Sequence, residues 1–438
     1  MATDSGTKPP SGIPWGLAAV AVVLPALFAV AYAYVPAYGT LARHPSNGTK
    51  HPPGNLKFTK VAVGRNPGTP PRVTNTRILD FDGDGRNEIL VCDSRYDCVS
   101  VCRRATDGTW SEDVLARDVI APAHAIVEDL DGDGDRDVVV AELGQLAPND
   151  ERIGGVAWLE NIDGKFIRRT LLTDIRRVAD VQAGDLDADG DLDLVVAAFG
   201  YARGEVLWME NLGAGVWKPR ALLQGAGAIH VPLADYDGDG DLDIAAVFSQ
   251  DDEEVFGFEN LGAGRFRARN LWGSFNPDLG SAGLVKTDLD RDGDVDLLLP
   301  VGDNLEDQYS YPQPYHGCFW LENKGNWAFE AKRIATVGGT YAAAPGDLDG
   351  DGDIDVALVS MFNDWDAEGV ASAVYLENDG RQNFTTRELD RHPTHLVTAD
   401  CGDLDGDGRL DIVAGTMCVI APFEDSRGVT VWMGGAAP

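Results

Sequence analysis

The sequence predicts an all-β chain: a seven-bladed β-propeller of four-stranded antiparallel blades, closed by an N-terminal strand and preceded by one N-terminal transmembrane helix. Three observations predict it. A nine-residue acidic stretch of the type DLDGDGDRD occurs seven times, starting at residues 80, 129, 185, 235, 288, 347 and 403, so that copies lie 49 to 59 residues apart. Similar short apolar and alternating segments flank the copies, and the last unit lacks one segment that turns up ahead of the first. A period of this length marks a repeat architecture rather than unrelated domains.

Four segments of each unit read as strands. An alternating stretch leads in (HAIVED, HVPLAD), the acidic loop follows, and an apolar β-rich run that must be buried comes next (VVVAE, LVVAAF, IAAVF). A third segment ends in Glu-Asn (VAWLEN, VLWMEN, FGFEN, CFWLEN, VYLEN). After a glycine turn the fourth segment is headed by an aromatic: Trp110, Phe166, Trp217, Phe266, Phe329 and Phe384. Short strands with tight turns, repeated in this way, are the pattern of propeller blades. The seventh unit ends at VTVWMGGAAP with no fourth strand, and LKFTKVAV at residues 56–63 supplies it, with Phe58 in the aromatic place. Such a closure protects edges that an open sheet leaves unpaired.

The acidic loops carry the chemistry. Positions 1, 3, 5, 7 and 9 hold Asp80, Asp82, Asp84, Arg86 and Glu88 in the first copy, and Asp129, Asp131, Asp133, Asp135 and Asp137 in the second. The third has Asp185, Asp187, Asp189, Asp191 and Asp193, and the fourth Asp235, Asp237, Asp239, Asp241 and Asp243. Asp288, Asp290, Asp292, Asp294 and Asp296 form the fifth, and Asp347, Asp349, Asp351, Asp353 and Asp355 the sixth. The seventh has Asp403, Asp405, Asp407, Arg409 and Asp411. Position 6 is always glycine, which suits a turn of positive φ. Arginine at position 7 of two copies assigns that place a backbone carbonyl. Alternating oxygens suit a hard divalent ion, so the sequence predicts up to seven bound Ca²⁺ ions. An EF-hand needs Glu at position 12 and a following helix, whereas Val91 and Val140 stand there inside apolar runs. Of the 71 acidic residues, 33 sit at these positions, and the remaining 38 nearly balance the 36 basic ones. The net charge of −35 is therefore the charge of the loops, and it argues against a nucleic-acid partner.

The D-x-D-G-D-G-x-x-D loops, the strand pattern and the seven units resemble FG-GAP/VCBS-type repeats, as in integrin α-subunit headpieces and bacterial VCBS-repeat proteins. The resemblance spans residues 56–434. It implies calcium bound in the hairpin between the first two strands of each blade. It does not imply one function, because such propellers include adhesion heads, lectins and polysaccharide-active enzymes.

Outside the repeats, no charged residue occurs from Pro9 to Ala42, and IPWGLAAVAVVLPALFAVAYAY fills the middle. With Trp15 at one end and Tyr32, Tyr34 and Tyr38 at the other, the run reads as a transmembrane anchor of ~20 residues, or alternatively a cleaved signal segment. The organisation is then a short cytoplasmic tail (1–12), the apolar segment (13–38), a linker (39–55), the propeller (56–434) and a tail (435–438). Six cysteines fit an oxidising compartment, and Cys92 and Cys98 fall opposite each other if DSRYD is a short turn, as a bridge or as buried thiols.

Alternating strands put the acidic loops and glycine turns on one face of the disc. The long segments 143–155, 302–318, 361–372 and 418–428 fall on the other, where Tyr309, Tyr311, Tyr315, Phe362 and Trp365 suit either protein or sugar contacts or local packing. His124 and His230 each stand five residues before an acidic loop, near the axis on that second face; Asp180 holds the matching place, and His316 and His395 are further candidates nearby. The chain has no G-x-S-x-G, H-E-x-x-H or phosphate loop. The function expected is that of a membrane-anchored module in the periplasm or outside the cell, non-enzymatic and calcium-binding. It contacts a protein partner and in its most specific form is an accessory subunit of a membrane complex. A glycan-binding propeller and a polysaccharide lyase or hydrolase are the alternatives.

Overall fold

The computed structural model describes residues 50–65, 68–250, 253–305, 311–419, 421 and 427–435. The apolar segment 13–38 lies outside them. No helix among the described residues is long and apolar enough to cross a membrane.

Seven antiparallel sheets follow one another along the chain. The first comprises Val73–Leu79, Glu88–Asp93, Cys98–Arg104 and Trp110–Ala116, and the second Pro122–Glu128, Asp137–Glu142, Gly154–Ile162 and Lys165–Ile175. The third is built from Arg177–Gly184, Asp193–Phe199, Gly204–Asn211 and Trp217–Gly225. In the fourth the innermost strand is split into Ala228–His230 and Leu233–Ala234, followed by Asp243–Phe248, Glu254–Asn260 and Phe266–Gly273. Val285–Thr287, Asp296–Val301, Gly317–Asn323 and Phe329–Ala335 form the fifth, and Thr340–Gly346, Asp355–Ser360, Ala373–Asn378 and Phe384–Asp390 the sixth. The seventh joins Leu396–Gly402, Asp411–Thr416 and Val429–Gly434 to the early strand Phe58–Val63. Pairing runs from Phe58 opposite Gly434 to Val63 opposite Val429, so the N-terminal ribbon does complete the last blade.

The second strand of each blade explains the apolar runs. DVVVAE and DLVVAAF are buried along their whole length because both faces of the sheet meet neighbouring blades. Outer strands such as WSEDVLA, which alternates between half-buried and exposed residues over its first half, are never fully buried. Seven apolar cores result, each shared by two adjacent blades. The aromatics that head outer strands pack backwards onto the preceding blade: Phe166 on Phe81, Phe266 edge-on to Trp208, and Phe329 edge-on to Tyr236. An eighth cluster of Met361, Phe362, Val397 and Met417 lies with Tyr341 on the face opposite the acidic loops.

Two readings left open by the sequence are decided. The hairpin register sets Cys92 against Val99 and Cys98 against Asp93, so the two do not bridge, and no disulfide joins the six cysteines. Phe362 is fully buried rather than presented for contact, while Trp365 lies against the His395 ring and Tyr315 against that of His316. Tyr309 lies outside the described residues.

Deleting residues 56–63 exposes the hydrogen-bonding edge of Val429–Gly434 and uncovers the core that Val63 lines. The deleted protein is expected to lose its sharp thermal transition by circular dichroism and to self-associate on size exclusion; an unchanged monomer with an unchanged transition would contradict the closure.

Candidate functional site

Each acidic loop is a tight hairpin in which glycines and carboxylates have separate tasks. Position 6 adopts positive φ in every copy, from 83° at Gly408 to 99° at Gly293 and Gly352. Position 4 does so as well, including Ala188 and Arg291, which the sequence pattern did not flag. The position-1 carboxylate accepts the position-6 amide in all seven loops, as in Gly240 N to Asp235 Oδ2 at 2.9 Å. The position-5 carboxylate accepts the position-7 amide, as in Asp241 N to Asp239 Oδ1 at 2.9 Å.

Position 9 is the buried one. Its carboxylate accepts the amide of position 2, as in Tyr236 N to Asp243 Oδ2 at 3.0 Å, and in six blades also the amide that ends the third strand, as in Asn260 N to Asp243 Oδ1 at 2.8 Å. That explains the Glu-Asn motif. The Asn260 side chain accepts the Gly262 amide of the next turn and donates to Leu242 O and, across the blade boundary, to Leu186 O. The glutamate pairs with a cation on the outer strand, as Glu259 with Arg269 at 2.6 Å.

The loops bring their carboxylates together in clusters whose oxygens lie within 4.8 Å of one another. Asp80, Asp82 and Glu88 form one; Asp129, Asp131 and Asp133, then Asp185, Asp187 and Asp189, then Asp235, Asp237 and Asp239 form others; Asp288, Asp290 and Asp296 form a fifth. None of these five contains a position-7 side chain, in keeping with a carbonyl role there. Arg86 instead donates to Arg104 O, and Arg291 reaches across to Gly352 O of the next loop. Trp327, whose indole donates to Asp237 Oδ2 at 2.9 Å, comes from the neighbouring blade and could not be read from the loop. Burial raises the position-9 pKa values, to about 6 at Asp193, Asp296 and Asp411 and to about 7 at Asp243 and Asp355, despite the amide hydrogen bonds that oppose it.

A second feature lies on the axis. The innermost strand carries a register shift at the same place in six blades, just before Asn75, His124, Asp180, His230, Ala342 and Thr398. A bulge re-aims the residue that follows it, and these side chains line a cavity of about 380 Å³. His124 Nδ1 stands 2.8 Å from Asp180 Oδ1, and Asp180 also accepts the Val231 amide at 2.8 Å and the Gln182 side chain at 3.0 Å. Burial opposes ionisation of Asp180, yet His124, His230 and the Val231 amide outweigh it and hold the carboxyl at about 2. The placement of His124 and His230 near the axis matches expectation. Arg77, Lys286 and Asp400 also line the cavity; their only sequence signal is charge inside a lead-in strand. His316 and His395 are fully buried and outside this lining; His316 Nδ1 accepts the Gln313 and Gly339 amides.

Fold and loops together define a closed propeller with a carboxylate cage in the first hairpin of each blade. The family model of the FG-GAP-like repeat matches residues 80–140, 129–196, 185–246 and 235–299, each window running from one acidic loop through the next, and the chain belongs to that family. No curated protein matches. Among solved structures, the crystal structure of the exotype rhamnogalacturonan lyase YesX is similar over 87% of this chain and 76% of that one, at 17% identity and a TM-score of 0.46.

Because the buried position-9 carboxyls hold their protons more tightly folded than unfolded, their contribution is complete below the ordinary aspartate range and is lost as pH climbs through 6 to 7. Chelator-treated protein is therefore expected to melt at a higher temperature near about pH 5 than near about pH 8. Scanning fluorimetry at the two values checks this, and the reverse order would refute it.

Proposed function

We propose that the chain is a calcium-rigidified interaction module, held outside the cytoplasm by its N-terminal segment. One observation carries the calcium reading. Asp129 Oδ1, Asp187 Oδ1, Asp288 Oδ1 and Asp290 Oδ1 are buried carboxylate oxygens with no hydrogen-bond partner among the described residues, and each sits inside one of the acidic clusters. Unsatisfied oxygens crowded at this distance are costly without a countercharge. A donor set of carboxylates and carbonyls, without histidine or thiolate, suits Ca²⁺ rather than zinc.

Side chains at positions 1, 3, 5 and 9 and the carbonyl at position 7 would hold the ion. Bound calcium supplies countercharge, so the loops stiffen the blades. Sites of extracellular-type affinity, ~10⁻⁴–10⁻³ M, fill in a calcium-rich compartment. That requirement and the uncharged run from Pro9 to Ala42 support a location in the periplasm or outside the cell, with the first segment as anchor.

The partner is a protein, and a membrane complex is the most specific form of that reading. Support comes from Tyr96, Ile120, Tyr201 and Phe275, large apolar side chains that stand 38%, 53%, 49% and 108% exposed in loops and blade linkers opposite the acidic face. Three of the four are aromatic, a residue type enriched where proteins meet. Extraction of the full chain from its native membranes in mild detergent with calcium is expected to bring down a stoichiometric partner. A lone monomer under all such conditions would overturn the reading.

Each site filled to a hundred times its Kd adds about 2.7 kcal/mol to the folded state. Chelation is therefore expected to lower the melting temperature substantially, and Asp187→Ala to bind one ion fewer than the parent by titration calorimetry. Equal stoichiometry in parent and variant would remove Asp187 from the ligand set.

A further inference from the structure

We propose that the axial cavity binds a sugar acid, with the ligand's carboxylate toward Arg77 and Lys286 and its hydroxyls toward His124, Asp180 and His230. The proposal stands apart from calcium and from the protein partner, since its residues belong to neither.

The first support is charge. Arg77 and Lys286 both line the cavity, and neither has a carboxylate within ion-pair distance among the described residues. The Arg77 guanidinium makes no hydrogen bond to a described residue, and the Lys286 ammonium donates to Leu233 O at 2.6 Å. The confines of the cavity and the neighbouring guanidinium both lower the pKa of Lys286. Asp400, the nearby acid, is already engaged by the Ile78 and Cys401 amides. Asp400 and Glu128 lie close enough to attract Arg77 but form no ion pair with it, so in a chain of net charge −35 two cations share the cavity wall without a direct ion pair. A carboxylate from outside satisfies both, with the guanidinium offering a two-pronged contact.

The second support is the other end of the cavity. Asp180 is an ionised acceptor held by His124, and neither the Nε2 of His124 nor the ring of His230 hydrogen-bonds a described residue. Gly283 stands beside His230, where an added Cβ would come into ordinary contact with its Nε2 at 3.9 Å. Donors and acceptors of this mixed kind read hydroxyl groups. The two ends lie two or three residues apart along the innermost strands, roughly 7–10 Å. A ligand that meets both must carry an anionic end and a hydroxylated end at that spacing, as a hexuronate does and acetate does not. The volume of about 380 Å³ falls within the range of small-molecule sites.

The test is calorimetric titration of the calcium-saturated full chain in detergent with D-glucuronate, D-glucose, acetate, glucose 6-phosphate and a uronate trisaccharide. Glucuronate or the trisaccharide is expected to bind at least about tenfold tighter than glucose, and acetate not measurably. Preference for the trisaccharide marks the source as the end of an acidic polysaccharide, and preference for the monomer marks it as the free acid. Arg77→Met and Lys286→Met are each expected to abolish the advantage over glucose, and His124→Gln to weaken both sugars alike. Should Arg77→Met fail to fold, Lys286→Met alone decides, because Lys286 is an exposed residue on the cavity wall and its loss opens no core. Equal affinity for glucuronate and glucose, tighter binding of the phosphate, or undiminished binding by Lys286→Met would overturn the proposal.

Discussion

A buried carboxylate at the ninth position of the loop is the tie on which each blade depends. In six of the seven blades it fastens the start of the acidic hairpin to the third strand, and where that strand offers an asparagine the side chain fastens the following turn and, in two blades, the hairpin before it. Loop, strand and neighbour thus share one network. Placing a carboxylate there has a cost, which the raised pKa values register, and hydrogen bonds offset it only in part. The chain accepts that cost seven times around the ring.

Everything else in the disc follows from sheets that cannot stand alone. A second strand buried on both faces has no solvent side, so each blade is completed by its neighbours, as in other repeat proteins. Seven such sheets leave an axis that no strand fills. In six blades a bulge in the innermost strand turns one side chain into that space, and because those side chains differ, a symmetric scaffold acquires an asymmetric interior.

Much of this was legible in the amino-acid order. The loop spacing, the aromatics heading the outer strands and the orphan segment LKFTKVAV were sufficient for blade number and closure, because each reflects a local rule repeated seven times. What escaped was whatever depends on two blades at once. The Trp327 indole on Asp237 and the side chain of Asn323 on Tyr236 O are contacts across a boundary that no single repeat encodes. The register of Cys92 against Val99 also escaped, since one residue in a turn decides which partners face each other. Nothing within a single strand marks Arg77 or Lys286, since it is the ring that brings their strands to a common axis.

The exchange of ends in the last blade has a temporal meaning. The ribbon Phe58–Val63 leaves the ribosome before any blade exists, while its partner Val429–Gly434 is made after all the others. Six sheets can assemble in order behind the emerging chain, yet the seventh waits for the final strand. Until then the early ribbon has no edge to join, and the disc acquires its continuous circumference only once Val429–Gly434 has been made.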